Sequence, residues 1–146
     1  GFSMSIAPMG AWLAFSGYFE PPPFFLVGVV MLWGAGFDII YACQDYEFDR
    51  NTGLYSIPQT IGISRALWVS RIFHLGRFIL LLFIKVILNL GNIYLAGILL
   101  VGLLLVYEQS LVKANDLSKV NMAFQTMNGV ISIMFFLFSL GDYFFP

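Results

Sequence analysis

Apolar residues fall into five long runs along the chain, each close to the roughly 20 residues that an α-helix needs to cross a bilayer. The runs predict helices at about residues 2–18, 24–44, 64–88, 93–109 and 119–140, with one long polar loop at 45–62. The Pro21-Pro22-Pro23 run separates the first two helices, because proline lacks an N–H donor and disfavours helix in the residue before it. Ser64 is a plausible N-cap of the third helix, and Asn89-Leu90-Gly91-Asn92 predicts a tight turn after it. The pattern therefore predicts an all-α, polytopic transmembrane helix bundle that forms a single domain over residues 1–146.

Composition supports this fold class. Hydrophobic residues make up 60% of the chain and charged residues 10%, far fewer charges than the roughly 25% of an ordinary soluble domain. A soluble protein of this length would need more polar surface, so the chain is expected to be an integral membrane protein with lipid as its surroundings and no nucleic acid as its partner. The single cysteine, Cys43, excludes an intrachain disulfide, and its apolar neighbours predict a buried, unreactive thiol.

Basic residues predict the orientation in the membrane, since cytoplasmic loops carry the excess of Lys and Arg. Arg50 and Arg65 flank the loop after the second helix, and Lys113 and Lys119 flank the loop after the fourth. The turns after the first and third helices carry none. This alternation places the 45–62 loop on the cytoplasmic side, and we expect a multi-pass protein of the bacterial inner membrane. Because the chain starts without Met inside an apolar run, we also expect it to be a piece of a longer protein.

Three carboxylates lie within five residues at the end of the second apolar run, in Asp45-Tyr46-Glu47-Phe48-Asp49. If the second helix continues for one further turn, Asp45 and Asp49 point together, and Asp38 falls on the same side. Two convergent carboxylates suit Mg²⁺, which is usually held by one or two of them, with water and phosphate oxygens completing its coordination. This spacing predicts a Mg²⁺ site for a phosphate-bearing substrate. The alternative that stays open is a solvated acidic patch paired with basic residues of the loop.

Asp38 lies about two turns inside the apolar run, where a charged side chain is costly and usually functional. A structural ion pair with Arg71, His74 or Arg77 of the third helix is the alternative. Together with Lys85, which we expect to snorkel towards the membrane surface, these basic residues predict one cationic face on that helix. For His74, an intramembrane partner is favoured over a metal ion.

Polar residues form a stripe on the otherwise apolar fifth helix, at Asn121, Gln125, Asn128, Ser132 and Ser139. The stripe predicts an inward face whose simplest role is hydrogen bonding between helices. The functional alternative is a substrate cavity, with Asn128 as the residue closest to mid-helix. Inward aromatic side chains could surround an apolar or cationic intermediate with their π faces.

Two stretches around the acidic cluster resemble the second aspartate-rich motif of the UbiA family of intramembrane aromatic prenyltransferases. These are Gly36-Phe37-Asp38-Ile39-Ile40-Tyr41-Ala42-Cys43-Gln44-Asp45-Tyr46-Glu47-Phe48-Asp49-Arg50 and Gly53-Leu54-Tyr55-Ser56-Ile57-Pro58. The segments Ile6-Ala7-Pro8-Met9-Gly10-Ala11-Trp12-Leu13-Ala14 and Asn128-Gly129-Val130-Ile131-Ser132 are also similar to members of this family, in particular those of the quinone pathways. The resemblance covers nearly the whole chain.

The resemblance implies a nine-helix fold of which this chain supplies helices five to nine. It implies that Asp45 and Asp49 meet Mg²⁺ as catalytic metal ligands, and that Asp38, Tyr41, Arg50 and Asn128 belong to the diphosphate or substrate pocket. The family's first aspartate-rich motif has no match here. The chain is therefore expected to be the C-terminal half of the enzyme, to need the N-terminal half as its partner, and to be inactive alone.

The reaction implied is transfer of a polyprenyl group from a polyprenyl diphosphate to a hydroxylated aromatic acid. The acceptor is 4-hydroxybenzoate, on the ubiquinone route, or 1,4-dihydroxy-6-naphthoate, on a menaquinone route. Two other functions stay open: a non-catalytic transporter or assembly fragment, and a CDP-alcohol phosphotransferase. The latter class requires a D-x-x-D-G-x-x-A-R segment that this sequence lacks.

Overall fold

A computed structural model describes residues 2–145, and within that range the chain folds into helices without β-strands. The helices are α1 (Phe2–Ser16), α2 (Pro21–Ala42), α3 (Tyr46–Thr52), α4 (Ile57–Ile61), α5 (Ile63–Ile87), α6 (Asn92–Leu111) and α7 (Asn128–Phe144), with a π-helical turn, Met122–Met127, directly before α7. The predicted all-α bundle is confirmed.

Four helical segments are long and apolar enough to cross a membrane, namely Pro21–Ala42, Ile63–Ile87, Asn92–Leu111 and Met122–Phe144. They correspond to the second to fifth predicted helices. The first predicted helix, 2–18, is shorter than expected, because α1 has 15 residues and ends before Gly17, whose φ of 75° is left-handed. A residue with positive φ ends an α-helix, and glycine adopts that conformation without steric cost.

Three local predictions about helix ends were wrong. The proline run does not lie outside the second helix but forms its first turn, where a missing N–H donor costs nothing. The third helix is preceded by Gly62 rather than by Ser64, because Gly62 takes a φ of 85° between α4 and α5. The predicted loop 45–62 contains the two short helices α3 and α4.

The bundle has two clusters of buried apolar side chains, one towards each membrane face. The first joins α2, α5 and the start of the last helical segment around Ile40, Leu67 and Ala123. The second joins α2, α5, α6 and α7 around Leu81, Ile98 and Ile131. A Cβ atom on Gly97 would lie 2.4 Å from Phe138 Cβ, so this glycine allows α6 and α7 to approach closely.

We call the side of the bundle that carries α3, α4 and the 112–121 segment the loop face. α5 starts at this face and α6 returns to it. The opposite side carries the turn between α5 and α6 and the end of α7. Asp142 on α7 accepts hydrogen bonds there from the backbone N–H groups of Gly91 (2.8 Å) and Tyr94 (3.0 Å) at the start of α6.

Candidate active site

The acidic cluster lies on the loop face, on its own short helix. α2 ends at Ala42, the chain turns through residues 43–45, and α3 starts at Tyr46 with Asp45 at its N-cap position. The expectation that α2 continues by one turn and aligns Asp38 with Asp45 and Asp49 was therefore wrong. The turn starts at Cys43, whose Sγ donates to Ile39 O at 3.3 Å inside the core. Because the chain changes direction there, the residues after the turn do not continue the face of α2.

Asp45 and Asp49 lie one helical turn apart, because the backbone N–H of Asp49 donates to Asp45 O at 2.8 Å. The Asp45 side chain is exposed, whereas that of Asp49 is 9% exposed. Neither carboxylate makes a hydrogen bond or ion pair with any residue in the described range 2–145. Arg50 is exposed on the next position of α3 and forms no ion pair with them.

The donor chemistry of this pair fits Mg²⁺. Two carboxylates with uncommitted oxygens leave coordination positions for water and for phosphate oxygens, the arrangement that Mg²⁺ favours. Within residues 2–145 no group of three His, Cys, Asp or Glu side chains is positioned to hold a metal ion. The described residues alone form no complete metal site, and the chemistry of the Asp45 and Asp49 carboxylates is compatible with Mg²⁺.

Asp38 and Tyr41 of α2 have different neighbours. Asp38 borders a cavity of about 420 Å³ together with Ala35 and Ala42 of its own helix and Pro58 of α4. Tyr41, 42% exposed, instead contacts the ring of Phe124 at a centroid distance of 4.6 Å. The structure thus brings Asp38 beside the short helix α4 and Tyr41 beside the last membrane helix.

Aromatic side chains form a continuous wall between α2 and the π-helical turn. Trp33 contacts Phe37 (5.6 Å between ring centroids), and Phe37 contacts Phe124 (5.3 Å), on which Tyr41 also packs. Asn128 fixes one end of this wall: its Oδ1 accepts from Trp33 Nε1 at 2.7 Å, and its Nδ2 donates to Phe124 O at 2.6 Å. We call these rings and Asn128 the aromatic wall.

The predicted inward stripe of the last helix is only partly correct. Asn128 is buried, but Asn121 and Gln125 are exposed, and Asn121 Oδ1 accepts from Gln44 Nε2 at 3.3 Å. The reason is the π-helical turn Met122–Met127, which has more residues per turn than the α-helix assumed in the prediction, so residues before it are rotated relative to those after it. Such turns are frequent at functional sites.

A buried polar cluster at the centre of the bundle was missed by the sequence analysis. Glu108 on α6 is 0% exposed, and its Oε1 lies 3.7 Å from His74 Nδ1 on α5. Gln109 Nε2 lies 3.0 Å from the same nitrogen and 2.9 Å from Ser70 Oγ, which donates to Gly36 O at 2.8 Å. His74 has the intramembrane partners predicted for it. Glu108 was not predicted as a site residue because it is next to the predicted end of its helix at residue 109. The signal that could have identified it is a charged residue within an apolar run.

Arg77 belongs to the same buried region. Its guanidinium lies 4.8 Å from the ring centroid of Trp33, and the side chain is 3% exposed. Arg77 thereby connects the polar cluster of α5 and α6 to the aromatic wall. Lys85 behaves as predicted, since its Nζ donates to Leu90 O at 3.0 Å in the turn beyond the end of α5.

Two groups outside the membrane spans have shifted pKa values. Burial raises the pKa of the Cys43 thiol to about 11, in agreement with the buried, unreactive thiol predicted from its neighbours. Hydrogen bonds from the Ser118 hydroxyl and backbone N–H lower the pKa of Asp116 on the loop face. Asp116 is therefore a stable anion between Lys113 and Lys119.

Comparison with known proteins identifies the group to which this helix bundle belongs. Residues 1–140 match the UbiA prenyltransferase family. The chain is 32% identical over 89 residues to a 4-hydroxybenzoate solanesyltransferase from Synechocystis sp.; the match covers 56% of this chain and 29% of the relative. No solved structure matches the chain. With its apolar spans and its acidic pair at the loop face, this integral membrane protein belongs to the UbiA prenyltransferase family.

Proposed function

We propose that the protein transfers a polyprenyl group from a polyprenyl diphosphate to a hydroxylated aromatic acid, with Mg²⁺ bound at Asp45 and Asp49. The observation that carries this proposal is the pair of carboxylates with uncommitted oxygens on α3, in a chain of the UbiA prenyltransferase family. Substrates of this kind combine a charged diphosphate with a long apolar chain. A site between a membrane face and an apolar bundle suits both parts.

Each group of residues has a distinct task in this reaction. Asp45 and Asp49 hold Mg²⁺, which supplies charge neutralisation for the diphosphate leaving group. Arg50 and Asp38 complete the pocket on the loop face, as the resemblance to the family implies. The C–O bond of the prenyl diphosphate breaks, a ring carbon of the acceptor forms the new C–C bond, and the ring loses a proton.

The aromatic wall suits the positive charge that develops on the prenyl group. Aromatic faces attract cations through the ring quadrupole, and the rings of Tyr41, Phe124 and Phe37 pack in sequence from the end of α2 towards the bilayer interior. An apolar wall also excludes water, which would otherwise capture the cation. Asn128 holds the Trp33 end of the wall through the 2.7 Å hydrogen bond described above.

We further propose a role in the synthesis of respiratory quinones. The relative from Synechocystis sp. is named for 4-hydroxybenzoate and a solanesyl group, and 1,4-dihydroxy-6-naphthoate is the alternative acceptor. The basic residues Arg50, Arg65, Lys113 and Lys119 all lie on the loop face, which we assign to the cytoplasmic side of a bacterial inner membrane. A cysteine introduced at Asn115 should therefore react with an impermeant maleimide only from the cytoplasmic side.

The acidic pair can be tested by substitution in the full-length protein. Asp45→Asn and Asp49→Asn remove the negative charge at nearly constant shape, so we expect Mg²⁺-dependent binding of geranylgeranyl diphosphate and prenyl transfer to fall by about 100-fold or more. Binding is measured by calorimetry with and without Mg²⁺, and transfer by the formation of prenylated 4-hydroxybenzoate or 1,4-dihydroxy-6-naphthoate.

Glu47→Gln is the matched control, since Glu47 is exposed on the same short helix between the two aspartates. The control should keep both activities, and all variants should keep the thermal stability of the parent. If the Asp45→Asn and Asp49→Asn variants bind geranylgeranyl diphosphate and Mg²⁺ as tightly as the parent does, the proposed site is disproved. Binding without any Mg²⁺ requirement would favour a non-catalytic membrane protein.

A further inference from the structure

A groove of about 740 Å³ separates α5 from α6 on the outside of the bundle. Its walls are apolar and include Leu75 and Phe78 from α5 and Leu99, Leu103 and Val106 from α6. Leu103 and Val106 are each 70% exposed. Both helices are long and apolar enough to cross a membrane, and the groove is exposed on the described part of the chain.

The groove has one polar end. Arg71, Gln109 and Ser110 line it there, and no acidic residue lines it anywhere in the described chain. Arg71 lies eight residues after the start of α5, about 12 Å along the helix at 1.5 Å per residue, and Ser110 is one residue before the end of α6. Since α5 starts at the loop face and α6 ends there, the polar end points to that membrane surface and the apolar walls extend towards the bilayer centre.

Arg71 has a positive charge without an anionic partner inside residues 2–145. Its guanidinium lies 4.8 Å from the ring centroid of Trp68, and it makes no ion pair or hydrogen bond with the described residues. A half-buried cation in a membrane span is costly without a counter-charge. The five N–H donors of a guanidinium match the oxygens of a phosphate group particularly well.

We propose that this groove binds an anionic phospholipid, with its phosphate at Arg71 and one acyl chain along the apolar walls. The polarity of the groove matches that of a phospholipid in the leaflet of the loop face, and basic pockets between membrane helices bind such headgroups. Without an acidic lining residue, the groove has no counter-charge for a choline or ethanolamine cation, so anionic lipids are preferred over zwitterionic ones. The site is separate from Asp45 and Asp49 and does not depend on the proposed function.

Native mass spectrometry of the delipidated protein tests this proposal, with phosphatidylglycerol or phosphatidylcholine added at equal concentrations. We expect one phosphatidylglycerol to bind about fivefold more tightly than phosphatidylcholine, the preference that one basic residue near the surface provides. Arg71→Gln should abolish the preference. Val106→Trp, which fills the groove from its exposed wall, should weaken the binding of both lipids.

Arg65→Gln is the matched control, because Arg65 is an exposed arginine of the same helix outside the groove. It should retain the preference, and each variant should retain the melting temperature of the parent. Unchanged selectivity in Arg71→Gln would overturn the proposal, as would an equal loss in Arg65→Gln. Displacement of phosphatidylglycerol by geranylgeranyl diphosphate would assign the groove to the prenyl substrate instead. A photo-cross-linker placed at Leu103 gives a further check. If it captures a second copy of the chain, the lipid-binding proposal is overturned.

Discussion

Glu108 carries a carboxylate into the interior of the bundle, where neither oxygen accepts a hydrogen bond from a residue of the described chain. Arg77, buried on the neighbouring helix, is within electrostatic range but not within ion-pair distance. A guanidinium and a carboxyl group that are both buried in a medium of low dielectric constant influence each other over this distance. At the scale of single residues, burying these two polar side chains carries a large free-energy cost for the fold.

A double-mutant cycle tests this dependence. Arg77→Met and Glu108→Met should each lower the free energy of unfolding by about 3 kcal/mol, because each leaves the other buried polar side chain without compensation. The double variant should recover most of the loss. Stability is measured by reversible unfolding in mixed micelles, with the exposed Glu47→Gln variant as control. Additive losses in the double variant would show that the two charges do not interact.

The reactivity of Cys43 is a second prediction at this scale. With a pKa of about 11, about one thiol in 10⁴ is ionised at pH 7, and the thiolate is the reactive form. We therefore expect very slow labelling by a maleimide in the folded protein and fast labelling in SDS. A cysteine at the exposed position Asn115 in a Cys43→Ala background provides the control. Fast labelling of Cys43 in the folded protein would contradict its burial.

Helix ends and close helix contacts decide stability at the scale of elements. The first turn of α6 has no side-chain cap from its own N-cap residue, and Asp142 from α7 accepts hydrogen bonds from the N–H groups of Gly91 and Tyr94 there. The anionic carboxylate also interacts favourably with the positive end of the helix dipole. This contact fixes the end of α7 against the start of α6.

Asp142→Ala should lower the free energy of unfolding by about 1–2 kcal/mol, the usual value of an N-cap, while Asp142→Asn should lose less because it keeps one acceptor oxygen. Thermal unfolding in detergent measures both. Equal stability of Asp142→Ala and the parent would show that water replaces the cap.

Gly36 provides a second test of element packing. A Cβ atom there would lie 2.3 Å from His74 Nε2, whereas a Cβ on Gly10 of α1 would meet nothing within 4 Å. Gly36→Ala should therefore destabilise the protein by about 1–3 kcal/mol through overpacking of α2 against α5. Gly10→Ala should be neutral or slightly stabilising. Similar melting temperatures for the two variants would contradict the close contact.

The whole molecule brings four membrane spans together around one polar centre. His74 of α5 contacts Glu108 of α6, and one turn further along α5 Arg77 contacts Trp33 of α2, which donates to Asn128 of α7. Through Trp33 this centre also holds α2, the helix that leads into the Asp45 turn. A substitution in this polar centre should therefore change the geometry of Asp45 and Asp49, although none of its residues contacts them.

At the same scale, we predict that the 146-residue chain alone is inactive. The resemblance to the family implies two aspartate-rich motifs for the diphosphate site, and this chain contains one. The expected result is no detectable prenyl transfer by the chain alone, and transfer when the family's N-terminal helices are co-expressed with it. Full turnover by the isolated chain would contradict the prediction.

Hydrophobic patterning predicted the type and approximate position of the four membrane spans, because a bilayer imposes nearly the same length and polarity on every span. The fifth predicted span, 2–18, was wrong in length, since α1 has 15 residues. The acidic pair was also recognisable, since Asp45 and Asp49 are four residues apart whether or not they extend α2. Helix ends were less predictable. Pro21 and Gly62 have local conformations that depend on which helix they join, and the composition of a run does not encode that choice.

By itself, the sequence determined the membrane location, the all-α class and the acidic pair, since these follow from composition and from spacings within one helix. Only the tertiary structure decided which polar residues meet: Glu108 with His74, Asn128 with Trp33, and Asp142 with the start of α6. Each of these contacts joins residues at least 34 positions apart. Their geometry depends on helix rotation and on the π-helical turn, and a periodicity computed for an ideal α-helix contains neither.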